Sequence, residues 1–199
     1  MTQRINEQFI RELLAKREAI ITDSHFVYTK PEGRGDHGDT YINKDALYIC
    51  AHEISALCRE MAFRVAGQVV KNKVKVVVGP EKGGLILSSW LGFHLTNLTT
   101  TDTGAIIHSV YAEKGKDGKF ELRRGYDKLI IKSSSPVVIV EDILNSGKTV
   151  EETIAAVRRI GGTVAGVVAI CDRGGVTAEQ LGVPFLDVLL SVNLKKFPE

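Results

Sequence analysis

The chain has 199 residues, 44% hydrophobic and 25% charged, with a formal net charge of +2. That length supports one well-buried α/β domain and is too short for two ordinary ones; so small a charge surplus gives no ground for nucleic acid or membrane partners. No apolar run reaches membrane-spanning length, and the first residues alternate charged and apolar side chains (Arg4, Glu7, Arg11, Glu12) where a signal peptide has an apolar core. Three cysteines, Cys50, Cys58 and Cys171, form no CxxC pair and no ligand spacing with histidine. Cys50 and Cys58 are expected as buried free thiols within one helix, and a reducing cytoplasm is the expected compartment.

In chain order, Ile5, Phe9, Leu13, Leu14 and Ala19–Ile21 predict an amphipathic helix over 4–20. Phe26-Val27-Tyr28 and Thr40-Tyr41-Ile42-Asn43 read as short strands joined by a polar, glycine-rich connection. Within it, Gly33-Arg34-Gly35-Asp36-His37-Gly38 fits GxGxxG, but a strand-like segment follows where a dinucleotide site requires a helix, so that reading is rejected. A long helix is predicted over 45–70, with Leu47, Ile54, Leu57, Met61, Val65 and Val69 as its buried stripe. Val74–Val78 is an apolar strand ending at Gly79-Pro80-Glu81-Lys82-Gly83-Gly84, and Leu85–Leu95 is helical. Gly104–Val110 is the next strand; residues 111–128 are charged and punctuated by glycine. The Pro136–Glu141 strand leads into a helix carrying Val150, Ile154, Val157 and Ile160, then into the Val164–Cys171 strand, and Phe185–Val192 follows. Four apolar strands separated by helices argue for a parallel sheet.

The most informative run is Pro136 to Thr149. Four β-branched residues, Val137 to Val140, read as a strand buried on both faces, and it delivers Glu141 and Asp142 at its C-terminal end. Asn145, Ser146, Gly147, Lys148 and Thr149 then offer backbone N–H groups, hydroxyls and the positive end of a helix to an anion. A solvated acidic pair followed by an ordinary N-cap is the plain rival. A Walker-type phosphate loop fails, because the glycine it needs five positions before Gly147 is Asp142. Carboxylates suited to a diol beside a phosphate cradle fit a ribose 5-phosphate.

Gly79 to Gly84 has the same topology, a glycine-rich turn between a buried strand and a helix. Its N–H groups can form an anion-binding nest, with Lys82 adding charge; a plain strand-to-helix turn is the alternative. Two anion loops on neighbouring strands fit a molecule with a phosphate at one end and a pyrophosphate at the other. Tyr111 to Gly125 is long for a connection and holds five basic residues. A basic lid there would stabilise the charge growing on a leaving pyrophosphate and exclude water, against the alternative of a solvated charge run.

The Val137–Thr149 segment resembles the PRPP-binding signature of the type I phosphoribosyltransferases. The resemblance implies a central, mainly parallel sheet flanked by helices, with a small N-terminal hood-like element and a long flexible flap. It implies one domain over 1–199, about 1–45 as the base-side hood and about 46–199 as the PRPP-binding core. Glu141 and Asp142 would contact the ribose hydroxyls, Asn145 to Thr149 the 5-phosphate, and Lys82, Gly83 and Gly84 the pyrophosphate. Mg²⁺ would arrive with PRPP, with no protein ligand set of its own, and the enzyme would be a homodimer.

Further segments resemble the orotate branch. In its flexible loop the essential Arg-Lys pair stands here as Glu113-Lys114, and the loop holds no histidine. Lys114 is carried over for pyrophosphate binding and, with Lys116 and Asp142, for catalysis; Lys119 is a further substitute. Lys30 and Tyr41 match base-side positions, and Ile170-Cys171-Asp172-Arg173-Gly174-Gly175 resembles the segment whose Arg pairs with the orotate carboxylate, a geometrically selective contact. An ion pair with Asp172 or a loop-capping contact is the other reading of Arg173. A purine phosphoribosyltransferase is the second assignment, with Phe185 or Phe197 stacking on the base. A non-catalytic PRPP or nucleotide-binding regulator is the third, and it would keep the sugar-phosphate site but lose the basic flap.

Overall fold

The computed structural model describes residues 7–21, 24–27, 37–104, 106–192 and 196–197. The first helix, α1 (Glu7–Lys16), buries Ile10, Leu13 and Leu14, while Phe9 stays 45% exposed. It stops short of residue 20 because Glu18 takes a left-handed conformation (φ 51°). Ala19 N then donates to Leu14 O at 2.8 Å and Glu18 N to Ala15 O at 3.0 Å, a Schellman closure. The chain continues as β1 (Ile20–Ile21), β2 (Phe26–Val27), β3 (His37–Gly38) and β4 (Tyr41–Ile42). Thus His37 and Gly38, expected in a connection, form a strand; Ile5, Tyr28 and residues 33–36 lie outside the described residues.

A 3-10 turn (Lys44–Leu47) precedes α2 (Ala51–Lys71), so the expected long helix begins late, although Leu47 is buried as foreseen. Cys58 is buried in α2, whereas Cys50 is its half-buried N-cap, not a helix-interior thiol. Then come β5 (Val76–Pro80), α3 (Gly83–Thr103), β6 (His108–Lys114), β7 (Phe120–Glu121) and α4 (Tyr126–Ser133). After them run β8 (Val137–Leu144), α5 (Lys148–Arg159), β9 (Val164–Asp172), α6 (Ala178–Leu181), β10 (Leu186–Ser191) and β11 (Lys196–Phe197).

Among the described residues the central sheet has six strands in the order β10-β9-β8-β5-β6-β7. Neighbours are parallel except β7, which returns antiparallel to β6. Alternate residues explain the unbroken apolar runs. Val77, Val138, Val140 and Val168 face one core with Leu57 and Met61 of α2 and Leu91 of α3. Val76, Val78, Val137, Ile139 and Val167 face the other, with Val150, Ile154 and Val157 of α5. Both faces are covered, as a parallel sheet requires. Outside this sheet, β1 pairs with β4, and β3 lies between β2 and β11, all antiparallel.

Three strand boundaries move. The strand expected over 74–78 runs from Val76 to Pro80, so Gly79 and Pro80 end the strand and do not begin the loop. The strand expected over 104–110 runs from His108 to Lys114, so Tyr111 to Lys114 belong to the sheet and not to a lid. The strand after Pro136 extends through Leu144, carrying Glu141 and Asp142 within it, because Glu141, Ile143 and Leu144 stay in register with Ala169, Cys171 and Asp172. The chain runs from β5 outward to β6, then crosses back to β8 and on to β10. The reversal between β5 and β8 opens a crevice at their C-terminal ends, where ligands of such sheets collect.

Candidate functional site

Both glycine-containing loops meet at this crevice. After β5 the backbone doubles back so tightly that a Cβ on Gly79 would overlap the Gly84 carbonyl, and one on Gly84 would press into Pro80 and Gly79. Only glycine permits that approach. Lys82 is exposed at the start of α3. Glu81 N donates to Ala112 O at 2.9 Å, and Glu81 Oε1 accepts from Lys114 N at 2.7 Å. These bonds fasten the loop to the end of β6 and bring Lys114 beside it.

At the end of β8, Glu141 is 5% and Asp142 2% exposed, so the solvated-pair reading fails. Successive strand residues point to opposite sides. Glu141 lines a hollow of about 60 Å³ with Asn145, Ser146, Gly147, Lys148 and Thr149. Asp142 lines another of about 260 Å³ with Tyr41, Asn43, Asp45, Asn145 and Arg173. A third, about 440 Å³, is bounded by Asp45, Tyr48, Lys82, Gly83 and Ile86. The first two share Ile143 and Asn145, and the last two share Asp45.

The Asp142 carboxylate is held on both oxygens. Ile143 N donates to Oδ1 at 2.7 Å and the Tyr48 hydroxyl to Oδ2 at 2.9 Å, while Glu141 Oε1 accepts from Asp142 N at 2.9 Å. Burial, and then the Asp142 charge, push the Tyr48 phenol far above its ordinary pKa, so it remains a donor. A Cβ on Gly83 would overlap Asp142 Oδ2, which places the first loop's backbone directly on this carboxylate.

The second loop is shaped from behind. Gly147 caps α5 in a left-handed conformation (φ 80°) with no side chain of its own, and Ser146 Oγ accepts from Lys148 N at 3.4 Å. Gly174 abuts the Asn145 carbonyl, where any Cβ would collide. Gln180 Nε2 donates to Ser146 O and to Glu151 Oε1, each at 3.0 Å. Asp172 Oδ1 accepts from Gly174 N at 2.9 Å, Gly175 N at 3.1 Å and Val176 N at 3.4 Å. Asp172 thus closes the turn, and among the described residues Arg173 forms no ion pair with it. Arg173 lines the same hollow as Asp142, and its Nε is buried without a hydrogen-bond partner.

Tyr41 reaches that hollow, exposed and stacked on Phe26 at 5.3 Å; Lys30 lies outside the described residues. The basic segment is a hairpin. Glu113 faces Glu121 and Lys114 faces Phe120 across β6 and β7, with Lys114 Nζ 5.5 Å from the Phe120 ring centre. Lys116 and Lys119 lie exposed at its turn. Phe185 is not a base-stacking residue: it precedes β10, at the end of the sheet opposite the crevice, and its ring packs on Gly166. Asn43, Asp45, Tyr48 and the turn-closing role of Asp172 were not foreseen. An acidic residue preceding Gly-Gly after a strand was the one available signal for Asp172.

The family model of the phosphoribosyl transferase domain matches residues 49–185. The orotate phosphoribosyltransferase of Bartonella henselae is 34% identical over 92% of this chain and 84% of its own length. Among solved structures, the orotate phosphoribosyltransferase of Aeropyrum pernix superposes with a TM-score of 0.62 at 22% identity, covering 92% of this chain and 93% of its own. The adenine phosphoribosyltransferase of Saccharomyces cerevisiae gives 0.62 at 17%, covering 92% and 99%. At those identities the structural likeness speaks for the fold. A model spanning more than half of the chain, over the segments that build both loops of the crevice, joins the likeness to the Bartonella sequence in one conclusion: the chain belongs to the phosphoribosyl transferase domain family.

Proposed function

We propose that the chain transfers the phosphoribosyl group of PRPP to orotate, giving orotidine 5′-monophosphate and pyrophosphate. The observation that carries this reading is Arg173: it lines the hollow that Asp142 also lines, its Nε has no hydrogen-bond partner, and a base carboxylate there would meet a guanidinium beside the sugar. The name of the Bartonella henselae relative supports the same base. In this reading Glu141 and Asp142 hold the ribose hydroxyls, and Asn145, Ser146, Gly147, Lys148 and Thr149 wrap the 5-phosphate. Lys82, Gly83, Gly84 and Lys114 receive the pyrophosphate, and Tyr41 lies along the base, with Lys30 assigned to the base from sequence likeness. The C1–O bond to pyrophosphate breaks, its electron pair leaves with the pyrophosphate, and a ring nitrogen of the base, losing its proton, bonds to C1. Alignment of nitrogen and C1, and charge neutralisation by Lys114 and Lys116, would supply the acceleration.

Mg²⁺ fits the donor set. Among the described residues there is no group of three or more His, Cys, Asp or Glu able to cage a metal, but Asp45 brings a hard oxygen donor to the hollow shared with Lys82. A cation that favours oxygen, keeps its waters and binds through one or two carboxylates plus substrate phosphates suits that arrangement. Bound, it would offset the diphosphate charge. A homodimer is supported by the apolar face of α3, where Leu85, Ile86 and Phe93 are exposed. The free thiols of Cys50, Cys58 and Cys171 suit a reducing cytoplasm, and among the described residues no helix is long and apolar enough to cross a membrane.

Pyrophosphate release is measured with PRPP, Mg²⁺ and orotate, hypoxanthine, guanine, xanthine, adenine or uracil in turn. Turnover with orotate alone is expected. Turnover with a purine and none with orotate overturns the assignment, and PRPP binding without turnover on any base identifies a regulator.

A further inference from the structure

We infer that Tyr48 is a positioning residue for the transfer: its hydroxyl sets the Asp142 carboxylate in the orientation that receives the ribose of PRPP. This rests on the reading of Asp142 as a diol-binding group. Tyr48 follows the 3-10 turn before α2, 94 positions from its partner, and belongs to neither anion loop. Its O–H reaches Oδ2 at 2.9 Å, while Ile143 N holds Oδ1 at 2.7 Å. A local donor and a distant one, acting on different oxygens, together fix the plane of the carboxylate.

Gly83 adds a second, independent constraint. A Cβ there would overlap Asp142 Oδ2 and crowd the Tyr48 hydroxyl, so the pyrophosphate-side loop closes against this bond and against no side chain of its own. Tyr48 also borders the hollow that contains Lys82 and Gly83. One phenol therefore joins the sugar side of the crevice to the pyrophosphate side. The ring itself packs on the core beneath α2 and α3, a task that phenylalanine would perform equally well. The hydroxyl is what the packing does not require.

The test is a double-mutant cycle read by calorimetric binding of PRPP with Mg²⁺ and no base, on wild type, Tyr48→Phe, Asp142→Asn and the double variant. Tyr48→Phe is expected to weaken PRPP binding about tenfold and Asp142→Asn about a hundredfold, with the double variant no weaker than Asp142→Asn alone. Unchanged PRPP affinity in Tyr48→Phe, or losses that multiply in the double variant, overturns the inference. So does a fall of more than about 10 °C in the thermal midpoint of Tyr48→Phe, which would make the hydroxyl a stability element. Unaltered PRPP affinity in Asp142→Asn sinks the underlying reading of the site instead, so the two failures are told apart.

Discussion

At the end of β9, Arg173 and Asp172 divide two tasks that the sequence left open between them. Asp172 closes the turn through three backbone N–H groups, and Arg173 keeps a buried donor without a partner. A buried unsatisfied donor costs about 1–3 kcal/mol, a penalty that a carboxylate ligand would relieve. Arg173→Ala is therefore expected to raise the KM for orotate about 10- to 100-fold, the size of a lost charged hydrogen bond, while leaving PRPP affinity unchanged. Arg173→Lys should restore little, since a point charge lacks the planar fork; steady-state kinetics with each substrate varied separates these outcomes. The acidic pair was legible because a β-branched run ended in two carboxylates and a glycine loop. Tyr48 was not legible, since it stands outside the helical stripe and its partner is 94 residues away.

The hairpin of β6 and β7 shows how an element redistributes charge. Glu113 and Glu121 face each other across the two strands, a repulsive pairing that is offset by Arg124 on Glu113 at 3.2 Å and Arg123 on Glu121 at 2.6 Å. Two of the five basic residues thus support the hairpin, and Lys114, Lys116 and Lys119 are the three that the proposed reading assigns to the leaving pyrophosphate. Lys114→Ala is expected to lower kcat about a hundredfold, in line with removal of one transition-state charge partner. Arg124→Ala, which breaks an exposed pair, should cost less than about 1 kcal/mol of stability and leave kcat near wild type. Equal kcat losses in both variants would remove the distinction. Sequence length and charge marked this segment as special, but strand pairing, with β5 as far as Ala112 and with β7 at Glu113 and Lys114, decided where sheet ends and turn begins.

Across the whole molecule, α2 and α3 are joined over one face of the sheet by a contact that titrates. His94 Nε2 lies 2.9 Å from the Ser55 Oγ, and the His94 ring stacks on Trp90 at 6.1 Å. Burial first, and then the nearby Arg59 charge, lower its pKa below 6.5. The folded state therefore resists protonating His94 more than the unfolded chain does. Its contribution is fully present above pH 6.5 and is lost as pH falls through that value toward the lower folded one. The thermal midpoint should decline between pH 7.5 and 5.5, and His94→Gln should flatten that decline; an identical slope in the variant would assign it to other groups.

Much of the architecture was determined by local pattern alone. Apolar runs at Val76–Val78, Val137–Val140 and Val164–Cys171 bury both faces, as the strands of a covered parallel sheet do, and the glycines that follow each of them mark where a backbone must turn sharply. Those signals are short-range, so one chain suffices to display them. Tertiary structure alone decided the strand order that sets β5 beside β8, the meeting of Tyr48 with Asp142 and the closure of Gly174 on Asn145. Each depends on segments far apart in sequence packing to atomic contact, and no periodicity within a single segment encodes its partner across the fold.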